Sequence, residues 1–351
     1  MNYHYPARTD EAWRRTRPEV FSFPERVDPD TGASIVFGGG DAPGIELVTM
    51  GEAVERLPHV VEGCERTGFE NDFARFVSEQ AESGFFVYVK PGYEAGGPVT
   101  LDIRLAGRDA VMKNLIVVAP GAEVSIVESM NDTGVDQVLY SNRLIVGADS
   151  KVSYKRLWRL RGNAYVDLDV IVSENAHLDL VGFCEGRATS KMEQRVELRE
   201  RGGGMDELFV AKAYGKAHVD FSSNVHHLAP ATTSRLEARS VVRGKGYSLH
   251  HGFMKVEREA AGADSYFASR NLLLTKNGRA DSIPKLEIET DDVKAGHGAT
   301  VSDVDEEAIY YLMTRGLPRR EAEEMFIEGF LAPLYERFPE LTLSGEERDV
   351  A

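Results

Sequence analysis

The sequence predicts a mainly β fold: a β-solenoid core flanked by a mixed helical region before it and a helical region after it. Three observations carry this expectation. Between about residues 98 and 290 the hydrophobic period is two, as in Leu101-Asp102-Ile103-Arg104-Leu105 and Val166-Asp167-Leu168-Asp169-Val170. Within that stretch a unit recurs in which an apolar strand, a small or polar turn and a second strand follow one another. Its turns read Ala119-Pro120-Gly121-Ala122, Gly147-Ala148-Asp149-Ser150 and Ser173-Glu174-Asn175-Ala176. Finally, the spacing is regular, 28 residues from Val124 to Val152 and 26 from Val152 to Leu178. A repeat of that length without intervening helices fits stacked coils, each leaving an apolar row exposed until the next covers it. A β-sandwich would alternate too, but it does not require the same turn chemistry at a fixed interval.

Residues 1–95 form the first, mixed helical region. Thr9-Asp10-Glu11 caps a short helix through Ala12 and Trp13. Glycines and Asp30 mark loops, and Asn71-Asp72 opens a second helix with Phe73, Phe76 and Val77 on one face. Gly84 ends it, and Phe85-Phe86-Val87-Tyr88-Val89 reads as a strand. The solenoid is expected over 96–300, with weaker echoes of the repeat at 214–219 and 272–280. In the last region, 301–351, Asp303 and Glu306 resemble a capping box for a helix over 306–315 closed by Gly316. Pro318 suits the first turn of the next helix, where Ala322, Phe326, Phe330, Leu334 and Phe338 recur every four residues. That stripe either docks on the chain's own core or is partly shared with a partner. Pro333 should kink or break the helix.

Composition narrows the function. With 41 Lys and Arg against 57 Asp and Glu, the net charge is −16, the wrong sign for a nucleic-acid binder. No apolar run reaches bilayer length, and the N-terminus lacks the pattern of a secretion signal, so a cytoplasmic location is expected. Two distant cysteines, Cys64 and Cys184, cannot make a four-thiolate site, and Cys184 reads as a small buried hydrophobe. Gly244-Lys245-Gly246-Tyr247-Ser248 lacks the spacing of a phosphate-cradling loop, and no nucleophile stands at readable distance from a base, so no ATPase or other enzyme is expected. His226-His227 and His250-His251 would each send one ring to either face of a strand, so neither pair chelates one ion. His297 differs, lying between Gly296 and Gly298 in an acidic stretch where imidazole and carboxylates suit iron or zinc.

Around His297 the sequence resembles the SufB/SufD family, the scaffold components of the SUF iron–sulfur cluster assembly system. The resemblance rests on Leu286-Glu287-Ile288, on Asp291 through Thr300 including His297-Gly298-Ala299-Thr300, and on Asp305 through Gly316. It extends to His227-Leu228-Ala229-Pro230, Leu272-Leu273-Leu274-Thr275 and, faintly, Trp13-Arg14-Arg15-Thr16. It implies a right-handed parallel β-helix. The His-Gly-Ala-Thr form is that of the SufD branch, whose histidine is implicated in cluster assembly at the interface with SufB. Where the SufB branch has a reactive cysteine this chain has Ser269, and the cysteine frequent just before the SufD histidine is replaced by Lys294, Ala295 and Gly296.

The resemblance further implies a non-ATPase scaffold that pairs with a SufB-like subunit and binds the ABC-type ATPase SufC through its C-terminal helices. Tyr310, Tyr311, Arg315, Phe326, Phe330 and Leu334 are the residues placed at that contact, and His297 is the candidate ligand or proton-transfer group beside the partner's cysteine. In this expectation ATP-driven dimerisation of SufC twists the scaffolds and opens the interfacial site. A transient iron–sulfur cluster is expected there, and reduced flavin is compatible with the complex. Two alternatives remain at this point: a stand-alone homodimeric scaffold, and a carbohydrate-active β-helix enzyme with an acidic cleft.

Overall fold

The computed structural model describes residues 3–25, 27, 33–39, 43–64, 66, 68–105, 107–132, 134–339 and 341. Their strands form two nine-stranded sheets. The first runs from Ala33–Gly38 through Val99–Leu105, Glu123–Asp132, Lys151–Leu160, His177–Gly186, Gly204–Gly215, Thr233–Gly244 and Ala263–Leu273 to Val293–Asp303. The second runs from Ile45–Thr49 through Phe85–Val89, Asp109–Val118, Gln137–Val146, Asn163–Val172, Thr189–Leu198, His218–His227 and Tyr247–Val256 to Arg279–Ile288.

From Phe85 onward the chain alternates between the sheets, and neighbouring strands within each sheet are parallel. Among the described residues antiparallel pairing occurs only where Ala33–Gly38 and Ile45–Thr49 cover the first strands. Two sheets facing each other resemble a sandwich, but strict alternation with parallel in-register stacking makes a β-solenoid, here of about seven turns.

The register repeats what the sequence spacing indicates. Val124 pairs with Val152, and Val152 with Leu178, so the residues that set the repeat stack directly above one another. One turn of each coil places a residue in the left-handed region: Gly92, Gly121, Asp149, Asn175, Gly202, Ala231 and Gly262. Each donates its backbone N–H to the next coil, as Gly121 does to the Ala148 carbonyl (2.8 Å) and Asp149 to that of Glu174 (2.8 Å). Gly, Asp and Asn tolerate this conformation, which explains the turn chemistry at six of these seven positions, Ala231 being the exception.

The core between the sheets is a continuous apolar cluster from Ile45 to Phe267. It also holds charge. Glu128 is fully buried and accepts from Tyr140 Oη (2.7 Å), Trp158 Nε1 (2.7 Å) and Tyr154 Oη. Burial pushes its carboxyl up, and these donors with nearby Arg156 oppose the shift. Next to it Gln194 donates to Glu207 (2.7 Å) and accepts from Arg156 (3.2 Å).

Both outer faces are partly covered, which explains why Asp167 and Asp169 are buried although their strand alternates polar and apolar residues. Helices α1 (Met50–Arg56), α2 (Pro58–Gly63) and α3 (Asp72–Gln80) and the N-terminal segment pack on the second sheet. Asn71 caps α3 by accepting from the Phe73 and Ala74 amides, and Phe73, Phe76 and Val77 are buried as their spacing requires. Trp13 packs against both Phe73 (5.5 Å) and Tyr165 (5.9 Å), which also touch each other, with the buried Lys191 ammonium over its ring (5.5 Å).

At the other end, α4 (Glu306–Thr314) and α5 (Arg319–Arg337) follow the last strand. Three local expectations change. Asp303 ends the strand, and Asp305 caps α4 instead, its carboxylate accepting from the Glu307 and Ala308 amides. Pro318 stands at the cap of α5 rather than inside its first turn. Pro333 does not break α5, because Ile327, Leu331 and Leu334 anchor the helix on the solenoid on both sides of it. That packing offsets the roughly 3 kcal/mol penalty of an interior proline. Among the described residues no helix is long and apolar enough to cross a membrane.

Candidate functional site

The solenoid is covered at its first coil and uncovered at its last. Among the described residues Arg279–Ile288 and Val293–Asp303 are edge strands paired on one side only, as the antiparallel Ala33–Gly38 and Ile45–Thr49 are at the other end, so the other side of each offers unpaired backbone groups. Their side chains are largely exposed, including Ile288 (42%) and Val301 (49%), which suits a surface that pairs with another chain.

His297 lies on that last strand, in register with Phe267. In-register parallel strands direct paired residues to the same face. The row Ile126, Tyr154, Leu180, Glu207, Leu236, Phe267 therefore lines the interior coil by coil and ends on His297. All six predecessors are buried, whereas the imidazole is exposed because no further coil covers it. The two glycines beside it make room for an aromatic ring on the opposite face. A Cβ at Gly298 would lie 3.2 Å from Tyr266 Oη, and one at Gly296 would lie 3.4 Å from the Tyr266 ring.

The acidic residues near His297 in sequence do not gather around it. Glu287 and Glu289 turn to Lys255 (3.2 and 3.7 Å). Among the described residues no three His, Cys, Asp or Glu side chains converge as a metal site. An ion or cluster held by His297 would need its remaining ligands from another chain or from the cargo itself. One coil inward, Ser269 is buried and shares hydrogen bonds with His250 Nδ1 (3.0 Å) and Asn271 Nδ2 (3.1 Å).

The two adjacent histidine pairs are built into the strands. His227 bridges Thr232 and Ser234 (both 2.9 Å) inside the solenoid, and His250 lies inside as well. Their neighbours His226 and His251 face outward, as adjacent positions on a strand must.

The C-terminal residues divide between two surfaces. Tyr310 (69% exposed) and Tyr311 (57%) project from α4, and Arg315 stacks on Tyr311 (5.1 Å) while donating to its hydroxyl (3.0 Å). Met313 on α4 and Met325 on α5 are exposed apolar side chains as well, which the spacing of the sequence does not reveal. Arg319 ties α4 to α5 through Glu306 (2.7 Å) and Glu323 (2.9 Å).

Leu334, by contrast, is fully buried against the first sheet and has no surface to offer a partner. Phe326 and Phe330 are half-buried in the same cluster, with Arg239 over the Phe330 ring (5.3 Å).

The family model for the SUF system iron–sulfur cluster assembly SufBD core domain matches residues 103–330, which take in most of both sheets, His297, α4 and much of α5. The chain belongs to the SufBD family. Iron–sulfur cluster assembly SufBD family proteins of Staphylococcus epidermidis and Staphylococcus haemolyticus are each 30% identical to it, over 284 and 279 residues. A Staphylococcus aureus member is also 30% identical over 279 residues. In each case the match covers 77% of this chain and 60% of the relative, so the chain spans less than two thirds of the curated relatives' length.

Proposed function

We propose that this SufBD family member is a SufD-like, non-ATPase scaffold subunit of iron–sulfur cluster assembly, working in the cytoplasm. Its uncovered coil pairs with a SufB-like subunit, and His297 stands at the seam. The iron–sulfur cluster is cargo, built where the imidazole meets a thiol that the partner supplies, since Ser269 cannot provide one. Imidazole is an accepted ligand for sulfide-bound iron. The patch of Tyr310, Tyr311 and Met313 is the docking surface for a SufC-like ATPase, with Phe326 and Phe330 at its margin.

The observation that supports this reading best is the exposed His297 at the end of an otherwise buried interior row, on a strand with a free edge. His297→Ala should leave the mass of the complex with SufB-like and SufC-like subunits unchanged while its iron and acid-labile sulfide fall to background. Unchanged iron and sulfide would remove His297 from the assembly site. Light scattering of the purified chain alone addresses self-pairing, since a stable homodimer would favour a stand-alone scaffold.

A further inference from the structure

We propose that a cavity between the N-terminal helices and the outer face of the second sheet binds a small oxyanion, of the carboxylate or phosphate class. The cavity lies far along the chain from the His297 end and is built from both layers. Cys64 and Arg66 come from the segment after α2, while Lys113, Arg143 and Asp169 come from three successive strands of the sheet.

The case rests on donors and charge. The Arg66 side chain is only 8% exposed and that of Arg143 only 16%. Each guanidinium spends part of its fork on a carboxylate, Arg66 on Asp167 (2.5 Å) and Arg143 on Asp169 (3.0 Å). In both, the Nε–H is buried without a hydrogen-bond acceptor among the described residues, Asp169 Oδ1 standing 4.0 Å from Arg66 Nε, an ion-pair distance but too long for a hydrogen bond. A charged donor buried in this way costs more than a neutral one, and an oxyanion accepting from both removes that cost.

The lining is also short of negative charge. Lys113 donates to the Ser78 carbonyl (3.3 Å) rather than to a carboxylate, so of the residues that line the cavity Arg66, Lys113 and Arg143 are cations and Asp169 is an acid, with Asp167 and Glu70 acting on Arg66 from outside the lining. Burial pushes Asp167 up to about 6, weakening one of those acids further. Burial also holds Arg143 below the usual guanidinium range, with Asp169 opposing the shift and Arg199 and Arg66 reinforcing it. The cavity has a volume of about 30 Å³, more than a single water needs. Because its donors belong to both layers, a bound oxyanion would clamp the N-terminal helices onto the solenoid.

Cys64 makes the proposal measurable. It lines the cavity half-buried, whereas Cys184, the only other cysteine, is fully buried. Alkylation of Cys64 by iodoacetamide in the folded full chain, read by mass spectrometry, is compared in inorganic phosphate, acetate and chloride at equal ionic strength. Phosphate or acetate should slow the reaction saturably, by about tenfold at about ten times its Kd, and chloride should not. Protection by one of the two identifies the oxyanion class.

Arg143→Gln, checked for native circular dichroism, should lose the protection. Equal rates in all three salts, or full protection retained in Arg143→Gln, would overturn the proposal. Should that variant fail to fold, calorimetric titration of the unmodified chain with phosphate and with acetate decides the matter, and no saturable heat from either counts against it.

Discussion

Replacing His250 with glutamine is expected to lower stability near neutral pH and to remove part of the protein's sensitivity to acid. The ring lies inside the solenoid, hydrogen-bonded to Ser269 (3.0 Å) and edge-on to Phe209 and Phe221. Burial, then the neighbouring His251, brings its pKa from the usual 6.5 down to about 3, with Asp220 opposing. Below about pH 6.5 the unfolded chain takes up a proton that the folded chain refuses until about pH 3. The stability conferred by the neutral ring is therefore full above pH 6.5 and is lost across that window. At 1.36 kcal/mol per pH unit the loss is on the order of 5 kcal/mol.

Glutamine does not titrate, so the stability gap between the wild type and His250→Gln in urea unfolding should narrow by several kcal/mol from about pH 7 to pH 4. A constant gap would mean that the ring is not held neutral. His227 and His251, both brought down to about 4 chiefly by burial, act with the same sign. Asp167, Glu128, Glu193 and Glu207, raised chiefly by burial, act with the opposite sign. The difference between the two proteins isolates His250 from all of them.

Leu331→Asp is expected to release α5 from the solenoid. Leu331 is fully buried on the first sheet in a cluster with Val181, Phe183, Leu208 and Val210. Loss of the leucine contacts alone costs about 2–5 kcal/mol, and the buried carboxylate adds to it. The coils themselves do not depend on the helix, since their strands pair with one another. Limited proteolysis should therefore cut α4 and α5 quickly and leave the solenoid intact. Binding to a SufC-like ATPase should fall with the helices, even though the exposed Tyr310 and Tyr311 are untouched. Persistent protection of α5 in the variant would show that the buried face is not what holds it.

Much of the fold was legible because a solenoid writes its geometry into the chain one coil at a time. Val124, Val152 and Leu178 sit at equal phase and stack in register, and the small or polar turns between strands are the left-handed positions. What escaped depends on contacts between distant segments. Asp167 and Asp169 fall on the polar phase of an alternating strand, yet Arg66 pairs with them and both are buried. Asp303 has the right residue type for a cap, but the strand runs through it and the chain bends only at Asp305.

The stripe on α5 does dock on the chain's own core, with Ala322, Leu334 and Phe338 buried and Phe326 and Phe330 half-buried, but a strict four-residue step passes over Ile327 and Leu331, which are buried on the same face. Glu128 carried a signal that could have been used. It falls on the inward phase of Val124, Ile126 and Met130, where a carboxylate must find donors inside the core. At the site, the sequence singled out His297 from its glycines and acids. The structure assigns the glycines to Tyr266, turns Glu287 and Glu289 toward Lys255, and leaves the imidazole exposed at the open end.

The proposal that the last coil is where a second scaffold docks is tested most directly by hydrogen–deuterium exchange. Amide exchange along Arg279–Ile288 and Val293–Asp303 is measured in the free chain and in its complex with a SufB-like subunit. The two edge strands, including His297, should become strongly protected in the complex, while the covered first coil changes little. Unchanged exchange in both strands, with protection appearing elsewhere on the chain, would contradict the account.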